Sequence, residues 1–181
     1  MKHGEKETQV DSKPILVALA TFSIVLAGCA GIDAKPVASL SAANLMSPTG
    51  YSESKLSDTQ YQVRATGTES TPKARIEKIA RARAAQIGVE QKLKYYKVTN
   101  VQFGANCTKK HEFYKGGATT AGSRQMVMLD VVYAKEPPDP TYVSAAESYE
   151  TLNGELNSEV IAPEAKATAE QEARAGCAQA T

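Results

Sequence analysis

The sequence predicts a small α+β domain in which one long helix covers one face of a three-stranded sheet. Three short stretches carry β-strand patterns, and a longer stretch between the first two repeats apolar residues every three or four positions. The third strand is the most apolar, so we place it in the centre, which gives the strand order 1-3-2. A short C-terminal helix and an Ala/Glu-rich tail complete the predicted fold.

The first strand and the long helix follow each other closely. Apolar and polar residues alternate over 60–67, which predicts the strand. Thr71 can cap the helix, and Pro72 suits its first position because proline lacks the N–H that would be unpaired there. We expect the helix to run to about Leu93, and Gly88 within it indicates either close packing or an early weakening. Its apolar face consists of Ile76, Ile79, Ala80, Ala84 and Ile87.

The second and third strands are predicted on either side of a long loop. The second occupies 95–103, and its apolar phase shifts near Thr99-Asn100, which predicts a β-bulge. A polar, glycine-containing loop is expected over 104–123. The third strand, over 125–133, is apolar on both faces apart from Asp130.

One face of this sheet is left without a partner in the predicted fold. Met126, Met128 and Val132 lie on the face opposite to the long helix. We expect either the C-terminal segment or a second molecule to cover them.

The C-terminal part is predicted to be helical only in places. A short helix is expected over 142–152, ended by Asn153-Gly154. The stretch 164–178 favours helix but contains almost no large apolar residue, so it is expected to be a marginal helix or disordered. The resulting domain boundaries are a signal peptide (1–28), a flexible tether (29–58), the β-α-β-β domain (59–135) and an acidic C-terminal segment (136–181).

The N-terminus resembles the export signal of bacterial lipoproteins. Lysines precede an apolar run over 15–25, and the run closes with the lipobox motif Leu26, Ala27, Gly28 and Cys29. The resemblance implies that the chain is cut before Cys29 and that this cysteine is acylated on its sulfur and its new amine. The alternative, a transmembrane helix, needs about 20 apolar residues, which is more than this run contains.

The resemblance also implies a location. Acyl chains would hold the protein at a membrane of the cell envelope, facing the periplasm. Ala30, and not aspartate, follows Cys29. This resembles the sorting of enteric lipoproteins to the outer membrane more than to the inner one.

Several short motifs follow one another along the chain: Gly50-Tyr51, Leu56-Ser57-Asp58-Thr59, Tyr61-Gln62-Val63 with Gly67, Arg83-Ala84-Ala85-Gln86 and Tyr95-Tyr96-Lys97-Val98. Their order and spacing resemble those of a family of small uncharacterised proteobacterial lipoproteins that have a lipobox signal and a β-α-β-β domain of unknown function. The similarity covers about residues 50–152, whereas Lys92 and Leu93 replace an expected Gly-aromatic pair. The resemblance implies no catalytic residues.

Charge is distributed unevenly along the chain. The stretch 73–124 has an excess of bases, and the stretch from 130 to the end has an excess of acids. The two halves either neutralise each other or leave a basic face free. The candidate basic face on the long helix, for anionic headgroups or envelope polymers, consists of Arg75, Lys78 and Arg81.

Two cysteines remain once Cys29 is acylated, namely Cys107 and Cys177. An exported compartment is oxidising, so an intramolecular disulfide, free thiols and an intermolecular bond are all open. Cys107 and His111 are four residues apart, which leaves a metal protein or enzyme as a minor alternative. The sequence shows no other catalytic constellation and no nucleic-acid motif.

We therefore expect a non-enzymatic lipoprotein that binds or organises envelope components. It is expected to need no cofactor or metal, and to contact the membrane through its acyl chains. An envelope protein or polymer is the expected partner, and nucleic acid is not. A homo-oligomeric structural lipoprotein is the main alternative.

Overall fold

The computed structural model describes residues 37–45, 47–109 and 121–179. The predicted signal peptide, the predicted lipobox with Cys29, and His111 lie outside these ranges. The described elements are β1 (Gly50–Lys55), β2 (Gln60–Thr66), α1 (Lys73–Glu90), β3 (Tyr95–Lys109), β4 (Ala121–Ala134), β5 (Val143–Ser144), α2 (Ala145–Ser158) and α3 (Pro163–Gln179).

The sheet is antiparallel, with five strands in the order β1-β2-β4-β3-β5. The predicted α+β class is confirmed, and the three predicted strands do lie in the order 1-3-2, with β4 between β2 and β3. The predicted number of three strands is wrong, because β1 and β5 extend the sheet at its edges. Both were missed because β1 has only Tyr51 as a large apolar residue and β5 is two residues long.

The strand β1 also corrects the predicted tether. Residues 50–55 pair with β2, so the flexible segment predicted over 29–58 contains a strand of the folded domain. The chain just before it is fixed as well. Tyr51 exchanges backbone hydrogen bonds with Ser41 and Ala43, and Ala38 is 4% exposed within the core.

The core lies between α1 and the sheet. The predicted apolar face of α1 is buried against Val63, Val127, Leu129 and Val131 of the sheet. Gly88 serves close packing, since a Cβ there would come within 2.7 Å of the Ala145 Cβ. The helix α1 and the sheet therefore form two layers that pack against each other.

Both ends of α1 differ in detail from the prediction. Thr71 does not cap the helix, because its hydroxyl accepts hydrogen bonds from the backbone N–H groups of Thr68 and Ala38. The helix ends at Glu90, before Leu93. Lys92 then adopts a φ of 58°, and the Leu93 N–H reaches back to the Gly88 carbonyl over 2.8 Å. A lysine thus occupies a left-handed position that favours glycine.

The β3–β4 hairpin is longer than predicted. Strand pairing continues as far as Lys109 and Ala121, so the long polar loop expected over 104–123 is wrong at both ends. The predicted bulge is confirmed by a register shift between Val98 and Asn100. It keeps Val98 and Val101 opposite the core residues of β4.

The C-terminal helices are longer and better packed than the sequence suggested. The predicted helix stop at Asn153-Gly154 is wrong, because α2 continues through it. Gly154 faces open space, while Leu156 beyond it is buried against the core. The Ala/Glu-rich tail forms α3, a helix that packs against β4 and β3.

Both α1 and α3 lie on the same side of the sheet. Gln125, which contacts α3, shares its β4 face with Val127 and Leu129, which contact α1. Helix α3 therefore does not cover Met126, Met128 and Val132. These three side chains are half-buried on the opposite sheet face.

Candidate functional site

The three bases that the sequence proposed as a basic binding face are engaged within the protein. Arg75 is 7% exposed and pairs with Glu159 at 2.7 Å. Its guanidinium also donates to the backbone carbonyls of Ala38 and Leu156. A buried guanidinium with these partners is a structural cross-link between distant segments.

The other two bases are paired too. Lys78 contacts the carboxylates of Glu155 and Glu159, each at 3.2 Å, and Arg81 pairs with Glu77 at 2.7 Å. The acidic C-terminal half thus neutralises Arg75 and Lys78, which was one of the two alternatives for the charges, whereas Arg81 pairs within α1. The proposed free basic face is therefore wrong for Arg75, which is buried, while contact of Lys78 and Arg81 with headgroups or polymers stays a prediction.

A further arginine, Arg83, organises charge at the β1 side of α1. It pairs with Glu53 at 2.6 Å and with Glu90 at 2.9 Å, and it lies over the Tyr51 ring at 4.8 Å. Burial alone would lower the pKa of Arg83, but the two carboxylates outweigh it and raise the pKa. The sequence alone shows Arg83 only as part of a family motif, because its partner Glu53 lies in the predicted tether.

Cys107 and Cys177 form a disulfide, with their Cα atoms 5.6 Å apart. Of the three alternatives left open, the structure has the intramolecular bond. It joins β3 to the last turn of α3 across a sequence separation of 70 residues. Cys107 is therefore not available as a nucleophile or ligand beside His111, which lies outside the described ranges.

Helix α3 forms one wall of a cleft with a volume of about 280 Å³, which we call the α3 cleft. Its polar residues come from α1, β4 and α3. The residues that define it are Lys73, Phe103, Gly104, Gln125, Glu172 and Gly176.

Gln125 is the central residue of the α3 cleft, and it is 2% exposed. Its side-chain amide nitrogen donates to the Ala169 carbonyl at 3.0 Å and to Glu172 Oε2 at 3.2 Å. Its carbonyl oxygen Oε1 is buried and has no hydrogen-bond partner among the described residues. Native proteins rarely leave a buried polar atom in this state.

An ion pair lies at the mouth of the α3 cleft. Lys73 Nζ is 3.3 Å from Glu172 Oε2, and both side chains are close to half-exposed. The pair also borders a second groove of about 310 Å³ between the start of α1 and α3. Lys73 and Glu172 therefore stand between two adjoining openings.

Another cavity of about 300 Å³ lies where α1 ends beside the start of α2. Val89, Leu93 and Ala145 give it an apolar lining, and Lys92 and Lys94 lie at its side. None of its described residues has a buried side-chain polar atom without a partner, so it offers less chemistry than the α3 cleft.

Asp130 lies on the sheet face that no described helix covers. Its carboxylate accepts hydrogen bonds from the side-chain amides of Gln62 and Asn100, each at 3.0 Å. These two bonds lower the pKa of Asp130. Asp130 therefore has neutral partners and no base, which makes it a structural acceptor.

The fold defines the class of protein only as an α+β domain with a five-stranded antiparallel sheet. No family model matches the chain, and no curated protein or solved structure matches it either. The lipoprotein family suggested by the motifs thus remains a prediction.

Two further features of the described residues bear on chemistry. No helix among them is long and apolar enough to cross a membrane. Nor does that part of the chain bring together three or more His, Cys, Asp or Glu side chains that could hold a metal ion.

Proposed function

We propose that this protein is a bacterial lipoprotein and acts as a non-enzymatic binding module of the cell envelope. The observation that carries the proposal is the motif Leu26-Ala27-Gly28-Cys29 at the end of a short apolar run. Cys29 would carry the acyl chains, and the domain would face the periplasm. Ala30 favours the outer membrane over the inner one as the destination.

The Cys107–Cys177 bond supports export independently of the lipobox. Structural disulfides persist in oxidising compartments and are rare in the cytosol of most organisms. Neither cysteine belongs to the signal motif, so the two observations do not depend on each other.

The domain would sit close to the membrane. The chain is already fixed to the domain at Ala38, whose N–H donates to the Thr71 hydroxyl. From Cys29 to Val37 the chain reaches at most about 28 Å even when fully extended. The described domain would therefore contact partners within a few nanometres of the lipid surface.

The binding role is supported by the shape and chemistry of the surface. The α3 cleft has an ion pair at its mouth and a buried acceptor in its wall, which are the features of a small binding site. An envelope protein or polymer remains the proposed larger partner, and Arg75 is not among the residues that would contact it.

The test of lipidation is the intact mass of the protein recovered from membranes. We expect a chain that begins at acylated Cys29, and a Cys29→Ala variant that is neither cut there nor acylated. The matched control is the double variant Cys107→Ala and Cys177→Ala, which keeps Cys29 and should be processed normally. A wild-type chain that still begins at Met1 would refute the proposal and make the apolar run a membrane anchor.

A homo-oligomeric lipoprotein is the second candidate. Met126, Met128 and Val132 favour it, since they are half-buried apolar side chains on a sheet face that no described helix covers, with Asp130 between Met128 and Val132. Sedimentation of the mature protein in detergent tests it. A monomer over a wide concentration range would refute this candidate.

A further inference from the structure

We propose that the α3 cleft binds a small organic ammonium ion, namely a primary amine in its protonated form with a short apolar body. The inference names a ligand class for the binding module and rests on that proposed function. It does not require the protein to be acylated, so the two proposals fail separately. The α3 cleft offers two acceptors and a single cation among its lining residues.

The orientation of the Gln125 amide is fixed by its neighbours. The Ala169 carbonyl and the Glu172 carboxylate can only accept hydrogen bonds, so the amide nitrogen must face them. A flipped amide would set its oxygen against two other oxygens. Oε1 is consequently the atom left without a donor, and a ligand that satisfies it must donate.

Glu172 provides the opposite charge for such a donor. Both of its described contacts fall on the one oxygen Oε2, from Gln125 and from Lys73. An ammonium group has three N–H donors, and can therefore bond to Glu172 and to Gln125 Oε1 at the same time. An ionised carboxylate ligand has no donor and could satisfy neither atom.

Lys73 holds the place of the ligand in the free protein. Its ammonium group pairs with Glu172 at 3.3 Å, and its side chain is 49% exposed. An ion pair this exposed contributes little, so one ammonium can replace another at small cost. Gln125 Oε1 is shielded from solvent, so ligand entry requires a side chain to move, and the proposal assigns that movement to Lys73, which is 49% exposed at the mouth of the cleft.

The apolar wall of the cleft accommodates the body of the ligand. Phe103 is 51% exposed, which is unusual for a phenylalanine and leaves its ring beside the cleft. Gly176 presents no side chain there, and a Cβ at this position would come within 3.1 Å of the Ala105 Cβ. A cation next to an aromatic ring gains a further attraction. The volume of about 280 Å³ limits the ligand to a small molecule.

The test uses the full mature protein in detergent, titrated by calorimetry with 2-phenylethylammonium. The matched probe is 3-phenylpropanoate, which has a similar body and the opposite charge. We expect the amine to bind and the acid not to bind. Glu172→Gln, which can still accept from Gln125, should weaken amine binding by about tenfold or more. Glu164→Gln, on the first turn of the same helix and outside the cleft, should bind as the wild type does.

Two further variants separate binding from folding. Lys73→Met removes the competing ammonium group and should tighten amine binding several-fold, a gain that damage to the fold would not produce. Gln125→Met should abolish the binding while far-UV circular dichroism stays unchanged. The proposal is overturned if neither the wild type nor Lys73→Met binds the amine, which would mean that water alone fills the cleft. It is equally overturned if the acid binds as well, or if Glu172→Gln behaves like Glu164→Gln.

Discussion

Removal of the Cys107–Cys177 disulfide should release α3 from the domain. The perturbation is the double variant Cys107→Ala and Cys177→Ala, or reduction of the wild type. Closing a loop of 70 residues stabilises a chain by about 4 kcal/mol in the chain-entropy model. The free energy of unfolding falls by this full amount only if α3 stays docked in the variant.

The packing of α3 suggests that it will not stay docked. Its buried apolar side chains among the described residues are Ala169, Ala173 and Cys177, all of them small. Burial of such groups contributes roughly 2–3 kcal/mol in total. Ordering a separate helix costs a comparable amount, so the docking free energy without the disulfide should lie near zero.

Hydrogen exchange and denaturant unfolding together test this reasoning. In the double variant, the α3 amides should lose their protection while those of α1 and β4 keep theirs. The free energy of unfolding should fall by about 2–4 kcal/mol. A reductant should reproduce both effects in the wild type and have no effect on the variant. Full protection of α3 in the variant would refute the argument, since packing alone would then hold the helix.

The remaining predictions concern single side chains. Arg83→Met should lower the free energy of unfolding by about 2 kcal/mol, because it strands two half-exposed carboxylates, whereas Arg81→Met should cost under about 1 kcal/mol. Tyr133→Phe should cost about 1 kcal/mol at neutral pH, because the phenol donates to the Ala84 carbonyl at 2.7 Å. Burial raises the pKa of Tyr133, so this hydrogen bond stabilises the folded state fully below about pH 10 and is lost as the pH rises above that value. In denaturant titrations, the difference in free energy of unfolding between the wild type and Tyr133→Phe should therefore shrink above about pH 10. Two amide donors lower the pKa of Asp130 in the folded state. The ionised carboxylate therefore stabilises the fold above about pH 4, and this stabilisation is lost as the pH falls through the pKa that Asp130 has in the folded state. Asp130→Asn should therefore cost about 0.5–1 kcal/mol at pH 7 and progressively less as the pH falls below about 4, and a loss that does not change with pH would contradict this assignment.

The central part of the fold could be predicted because hydrophobic patterning determines it. Strand β4, which is apolar on both faces, is central in the sheet. The bulge in β3 follows from a shift in the phase of its apolar residues. The face of α1 was predictable for the same reason. Each of these features buries apolar area, and apolar area is visible in a sequence.

The edges and the site could not be predicted, because they depend on partners that are remote in sequence. Glu53 lies in a polar stretch, and only the fold brings it to Arg83, 30 residues away. Arg75 looked like a surface base until the structure placed Glu159 beside it. Gln125 looked like an ordinary polar residue at the start of a strand. Its unpaired Oε1 depends on where α3 packs, and the small residues of α3 gave no sign of that.

Arg75 has a mechanical consequence. One guanidinium joins the chain at Ala38 to the end of α2 at Leu156 and Glu159. A pull on the chain upstream of residue 37 would therefore reach α1 and α2 through this side chain before it could peel β1 from the sheet. The force would be shared by two helices, and the sheet edge would be protected from unzipping.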